Sequence, residues 1–144
     1  MSIVYRMNGP LVVVTPYGSN TLENVCGLFK DILGDPAFKP PAKILFDARH
    51  TDYGPTGEEL EALSEFLSGI EAFRGSRWAI VAHSGTLVYG LTRMFCCLAE
   101  SHGIYAEPFS EYTEAHQWLL NSNWGYQNRK CPLNEAFGPV RLYF

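Results

Sequence analysis

The chain has 144 residues, 47% hydrophobic and 18% charged, a composition that suits one domain with its own core and excludes a disordered segment. Eleven Lys and Arg against fifteen Asp and Glu leave a net charge of −4, so no broad basic face for nucleic acid is expected. No apolar run reaches the about 18 residues that a membrane-spanning helix needs.

The opening Met1-Ser2-Ile3-Val4-Tyr5-Arg6 has no charged segment leading into a long apolar stretch. It does not read as a secretory signal, and a soluble, cytoplasmic protein is expected. Residues 3–7 and 10–15 are apolar runs separated by Asn8-Gly9, a pair that favours tight hairpin turns. Pro10 is then expected at the start of the second strand. Ser19 or Asn20 is placed to cap a helix opening near Thr21, whose Leu22, Val25, Leu28, Phe29, Ile32 and Leu33 share one face. Gly34-Asp35-Pro36 ends it.

Residues 43–48 (KILFDA) read as a buried strand, because Ile44-Leu45-Phe46 is apolar on both faces. The polar loop 49–57 follows, and Thr56 or Gly57 opens a helix with Glu58 and Glu59 in its first turn, where the helix dipole favours acid. Leu60, Leu63, Phe66, Leu67 and Ile70 face inward, and Arg74-Gly75 ends the helix. Residues 77–82 (RWAIVA) form the next strand. The turn His83-Ser84-Gly85-Thr86 leads into a helix over about 86–102, with Leu87, Leu91, Met94, Phe95 and Leu98 expected on its inner side. Cys26, Cys96, Cys97 and Cys131 lack CxxC spacing and read as thiols packed in or near the core rather than as a zinc or redox site.

Residues 104–109 (IYAEPF) form a last strand, placed at an edge by Pro108. Ser110 is expected to cap a short helix facing inward through Ala115, Trp118 and Leu119. The order is β-β-α-β-α-β-α-β-α, an α/β fold with a mixed sheet. The domain spans 1–120. Residues 121–144 form an aromatic extension, with Trp124, Tyr126, Phe137, Tyr143 and Phe144, expected to pack on the domain or on a second subunit, so a homodimer is plausible.

RWAIVA, YGLTRMF at 89–95 and FSEYTEAHQWL at 109–119, with Leu45-Phe46-Asp47-Ala48-Arg49, resemble the bacterial SpoIIAA-like family, which groups with STAS domains of sulphate transporters and anti-sigma-factor antagonists. The resemblance covers residues 3–120. It implies a four- or five-stranded mixed sheet, helices largely on one face and a non-enzymatic role. Members of the subgroup have been likened to STAS regulators and to lipid-binding CRAL-TRIO domains. The Asp-Ser-Ser/Thr-Gly type of segment with its phosphorylatable hydroxyl is absent from the longer loop 47–57, so phosphorylation is not carried over; whether Thr51 or Thr56 is modified is left open.

Ligands of open α/β sheets bind beyond the carboxyl ends of the strands. The 47–57 loop and the 83–86 turn should share that end, giving a candidate ligand- or partner-binding set of Asp47, Arg49, His50, Asp52, Tyr53, Thr56, Ser84, Gly85 and Thr86. Ser84 on a strand-to-helix turn invites comparison with a nucleophile elbow, but Ala82 and Thr86 stand where its glycines belong. Simple capping by Ser84 or Thr86 is preferred. His50 and Asp52 lack ligand spacing, so no metal is expected, and no phosphate-binding or dinucleotide fingerprint occurs, so no cofactor is expected. Arg93 is expected to pair with an acid, by default, or to reach the outer face of its helix. Phe29, Phe66, Phe73, Tyr89, Phe95 and Trp118 could line an apolar cavity, although core packing is the commoner use of such residues.

The leading expectation is a non-enzymatic, STAS-like regulatory or protein-binding module. The alternative is a carrier or sensor of a small, lipid-like apolar ligand between helices and sheet; a hydrolase using Ser84 ranks third. A closed apolar pocket above about 300 Å³ would favour the carrier. A Ser84–His83 or Ser84–His50 pair backed by an acid would revive the enzyme.

Overall fold

The computed structural model of the protein describes residues 2–52 and 54–121. Tyr53 and all of the aromatic extension except Asn121 lie outside the described residues.

The chain opens with β1 (Ser2–Asn8) and β2 (Leu11–Tyr17), an antiparallel pair in which Asn8 faces Leu11. The two-residue turn is therefore Gly9-Pro10, one step beyond the expected Asn8-Gly9. Proline has no N–H to give a ladder, so it is cheaper in the turn than in the strand. Next come α1 (Leu22–Leu33), β3 (Lys43–Asp47), α2 (Gly57–Ser68), β4 (Arg77–Val81), α3 (Leu87–Glu100), β5 (Tyr105–Phe109) and α4 (Tyr112–Leu120). The strands lie side by side in chain order, and β2 through β5 run parallel. This is the β-β-α-β-α-β-α-β-α mixed sheet read from the sequence.

Strand alternation divides the interior in two. Val12, Val14, Ile44, Trp78 and Ile80 point to the side covered by α1, α2 and α3. Leu11, Val13, Leu45, Ala79 and Val81 point to the other, where α4 brings Ala115 and Leu119. Three of the four helices thus share a face. Phe29, Phe73 and Trp78 meet at ring distances of 5.1–5.8 Å at the centre of the larger core. Such pairs add about 0.5–1.5 kcal/mol each beyond the area they bury. The Trp78 indole donates to Ser76 Oγ at 2.7 Å, so its polar edge is satisfied in the interior.

Several element ends differ from the sequence reading. Thr21, not Ser19 or Asn20, caps α1, in a capping box with Asn24. Helix α2 stops at Ser68, and Glu71–Phe73 makes a separate 3-10 turn before Arg74. Ser110 does not cap α4, whose N-cap position is Glu111 with no side-chain bond. In α3 the inward stripe is Thr92, Phe95, Cys96 and Ala99, while Leu91, Met94 and Leu98 are half-buried and Leu87 is 74% exposed. The smaller residues face the sheet because they let the helix backbone lie close to it; the leucines flank that contact. Cys96 is a buried and Cys26 a half-buried free thiol, as the sequence reading expected for packed cysteines, and Cys131 lies outside the described residues.

Parallel pairing puts the carboxyl ends of β2, β3, β4 and β5 at one end of the sheet. The opposite end gathers the Gly9-Pro10 turn, Ala42, Gly75 and Gly103, tied by Lys43 N–H to Pro10 O at 3.3 Å, Arg77 N–H to Ala42 O at 3.2 Å and Gly75 N–H to Gly103 O at 3.0 Å. Among the described residues no helix is long and apolar enough to cross a membrane.

Candidate functional site

The carboxyl-end rim is built from the segments that follow β2, β3 and β4. After β3, the carboxylate of Asp47 caps a 3-10 turn, Ala48–His50, by accepting from the Arg49 N–H at 3.2 Å. That turn curls the Arg49 side chain back onto the same carboxylate. Arg49 Nε donates to Asp47 Oδ1 at 2.8 Å and a terminal nitrogen donates to Oδ2 at 2.9 Å, a two-pronged ion pair. The guanidinium also lies 5.3 Å from the Tyr112 ring centre at the start of α4. Burial pushes the Asp47 carboxyl upward, but the bonds from Arg49 outweigh it and leave the group below its ordinary value. The bond to Asp47 in turn holds Arg49 charged, above its own ordinary value.

The same loop is braced against the end of β2. Gly18 N–H donates to His50 O at 3.0 Å, Asp52 N–H to Gly18 O at 3.1 Å, and the Thr51 hydroxyl to Gly18 O at 2.7 Å. Gly18 has φ +70, a conformation in which a side chain would be strained, and it extends the sheet by an isolated parallel bridge to Thr51. Ser19 donates to Asp52 Oδ2 at 3.2 Å, and the Tyr17 ring stacks on His50 at 5.5 Å. Asn20 is buried and its amide donates to Tyr17 O at 3.2 Å.

After β4, Gly85 at φ +80 allows the tight passage into α3. The Thr86 hydroxyl donates to His83 O at 2.6 Å and accepts from the Tyr89 N–H at 3.1 Å, so Thr86 is the cap of α3. Ser84, His83 and Gly85 are exposed. Among the described residues no histidine or acid bonds to Ser84. Thr56 is likewise spent on a helix, in a capping box with Glu59.

The fold therefore brings the 47–52 and 83–86 segments to one rim, as the parallel order requires, but gives their residues different work. His50, Asp52, Ser84 and Gly85 stand in solvent. Asp47 is 4% exposed, with the half-buried Arg49 guanidinium lying over it, so the two brace each other at the base of the rim. The reason is local: the 3-10 turn carries the Arg49 side chain back to the carboxylate two residues before it. No bond joins the two segments directly among the described residues. Tyr17, Gly18 and Leu87 were missed; applying the strand-end rule to β2, the first parallel strand, would have found the first two.

Arg93 pairs with no acid among the described residues; its Nε is buried without a partner there, contrary to the expected pairing. Among the described residues no group of three or more His, Cys, Asp or Glu is placed to hold a metal ion.

Beneath the rim, between the sheet and α1–α3, lies an almost wholly apolar cavity of about 70 Å³. Of the aromatics considered for such a role only Phe29 and Phe95 line it, joined by Phe46 and Trp78. Phe73 instead closes the core, and Trp118 lies on the α4 face.

No protein-family model matches the chain, and no curated protein matches it in sequence. Solved structures do match in shape. An uncharacterised protein of the DUF3478 family with a SpoIIAA-like fold, from Shewanella loihica PV-4, is 19% identical, covers 82% of this chain and 92% of its own, and superposes with a TM-score of 0.54. An anti-sigma factor antagonist from Mycobacterium paratuberculosis is 18% identical, with 82% and 94% covered and a TM-score of 0.50. The fold is SpoIIAA-like, the architecture that the sequence resemblance implied.

Proposed function

We propose that the chain is a non-catalytic regulatory module of STAS-like type that binds a protein partner through the carboxyl-end rim. One observation carries the reading. Among the described residues four large hydrophobic side chains are exposed, and two of them, Tyr17 and Leu87, stand on this rim. Tyr17 rises from a base that the Gly18, His50, Thr51 and Asp52 bonds hold, and Leu87 from the first turn of α3, which Thr86 caps. Exposed apolar groups on a rigid polar frame suit the anchor-and-rim plan of protein interfaces, because little ordering entropy is lost on docking.

Two further observations favour this reading over its rivals. The cavity of about 70 Å³ is far below the roughly 300–1,000 Å³ of ligand pockets, which weighs against a lipid carrier. The Ser84 hydroxyl hydrogen-bonds to no histidine or acid among the described residues, so a hydrolase finds no support there. The similarity to an anti-sigma factor antagonist supports a regulatory role by fold alone.

The test is quantitative co-purification from the host, comparing the wild-type chain with the Tyr17→Ser/Leu87→Ser double variant. Both residues are exposed, so unfolding stability should change by no more than about 1 kcal/mol. The proteins enriched with wild type should fall several-fold with the variant. An unchanged set of partners on a folded variant would refute the rim as the binding surface.

A further inference from the structure

The cavity has a size, a lining and a mouth that together point to what enters it. It is walled by Val25 and Phe29 of α1, Leu60 and Leu63 of α2, Trp78 and Ile80 of β4, and Phe95 of α3. Its two hydroxyls are already spent: Thr92 donates to Val88 O at 2.8 Å and Thr51 to Gly18 O at 2.7 Å. A polar or charged group pushed inside would lose its water and find at most the lone pairs of these two hydroxyl oxygens. An apolar cavity of roughly 150 Å³ takes a benzene, so one of about 70 Å³ suits a smaller group, on the scale of one aliphatic side chain.

Most lining residues are buried, but Phe46, Thr51, Val88 and Leu91 are only partly so, and these mark the mouth. The mouth therefore opens beside Ala48, Thr51 and Pro55 and the first turn of α3, next to the exposed Leu87. The chain around it is strongly acidic. Asp52 lies in the loop, Glu58, Glu59 and Glu61 follow in the first turns of α2, and no Lys or Arg occurs between them. The nearby Arg49 is neutralised by Asp47. An apolar hole with acid along its α2 side is complementary to an aliphatic side chain accompanied by a cation.

We propose that this cavity seats one aliphatic side chain, leucine or valine in size, from a basic segment of the partner protein. This rests on the rim being the partner surface. A free ligand of three or four carbons makes too few contacts to be held tightly, whereas the same group on a peptide adds its burial to the rim contacts.

The probes are synthetic peptides: KRKLKRK, the same peptide with serine at its centre, and the acidic EDELEDE. Binding to the full chain is followed by NMR, using the methyl groups of Leu60, Val88 and Leu91 for the cavity and the backbone amides of Asp52 and Ser84 for the rim. The leucine peptide should bind at least about tenfold tighter than the serine peptide, shift the cavity methyls, and exceed the acidic peptide by more still. Val88→Trp, which plugs the mouth, should remove the advantage of leucine over serine. Equal affinity of the leucine and serine peptides, or no binding by either, overturns the anchor. Equal affinity with shifted rim amides leaves the rim standing, whereas basic peptides that bind and leave those amides unmoved overturn the rim as well. A folded Val88→Trp protein that keeps the full leucine advantage also overturns the anchor.

Discussion

At the scale of single residues, the Asp47–Arg49 pair decides how the rim is held. A buried carboxylate is stable only if its charge is met, and here one guanidinium and one N–H meet it at 2.8–3.2 Å. Asp47→Asn should destabilise the fold by about 2–3 kcal/mol at neutral pH, because Arg49 would keep its charge and lose its counterion. The pH dependence has a defined sign. The carboxyl titrates lower in the folded protein than in the unfolded chain. Its stabilisation is therefore complete above the unfolded value, near pH 4, and is lost as pH falls through the folded value. Urea unfolding at pH 7 and pH 3 should show the gap between wild type and Asp47→Asn shrinking in acid; a constant gap would contradict this. Sequence placed Asp47 at a strand end correctly but could not show that Arg49 turns back onto it. That depends on the 3-10 geometry of Ala48–His50, which no residue type in the segment announces.

At the scale of elements, the strands were legible because continuous apolar runs such as Ile44-Leu45-Phe46 need cover on both faces, and α4 supplies the second cover. Helix faces were less so. In α3 the expected Phe95 is buried and Leu91, Met94 and Leu98 pack against the core from its flanks, but hydrophobicity alone did not single out Thr92, Cys96 and Ala99, which closeness of backbone to sheet selects. Helix α4 shows how a short helix without a side-chain cap is kept in place. Arg77 of β4 donates to the carbonyls of Trp118 at 2.6 Å and Asn121 at 2.8 Å, and lies over the Trp118 ring at 4.6 Å. A cation at the last carbonyls also favours the negative end of the helix. Arg77→Ala should lower hydrogen-exchange protection in α4 about tenfold while leaving β3 near its original value. A uniform loss across the sheet, or none, would show that Arg77 does not serve α4 in particular.

At the scale of the whole molecule, the chain-order sheet is what makes a rim possible at all. Four parallel strands send their carboxyl ends the same way, so segments far apart in sequence, at 17–20, 47–52 and 83–87, share one border. This much followed from alternating strand and helix patterns. The cavity below it did not, since its lining comes from three helices and two strands whose mutual spacing no single segment encodes. Nor did the sequence show that Leu87 faces out, because an apolar residue at a helix start reads as core until the helix is docked. The most direct test of the rim as the working surface is a photo-crosslinking scan in the host, with the crosslinking residue placed at Asp52, Ser84 or Leu87 and, at the opposite end, at Asn8, Lys39 or Arg74. Discrete partner adducts from the first three positions and none from the last three are predicted; adducts confined to Asn8, Lys39 and Arg74 would contradict the account.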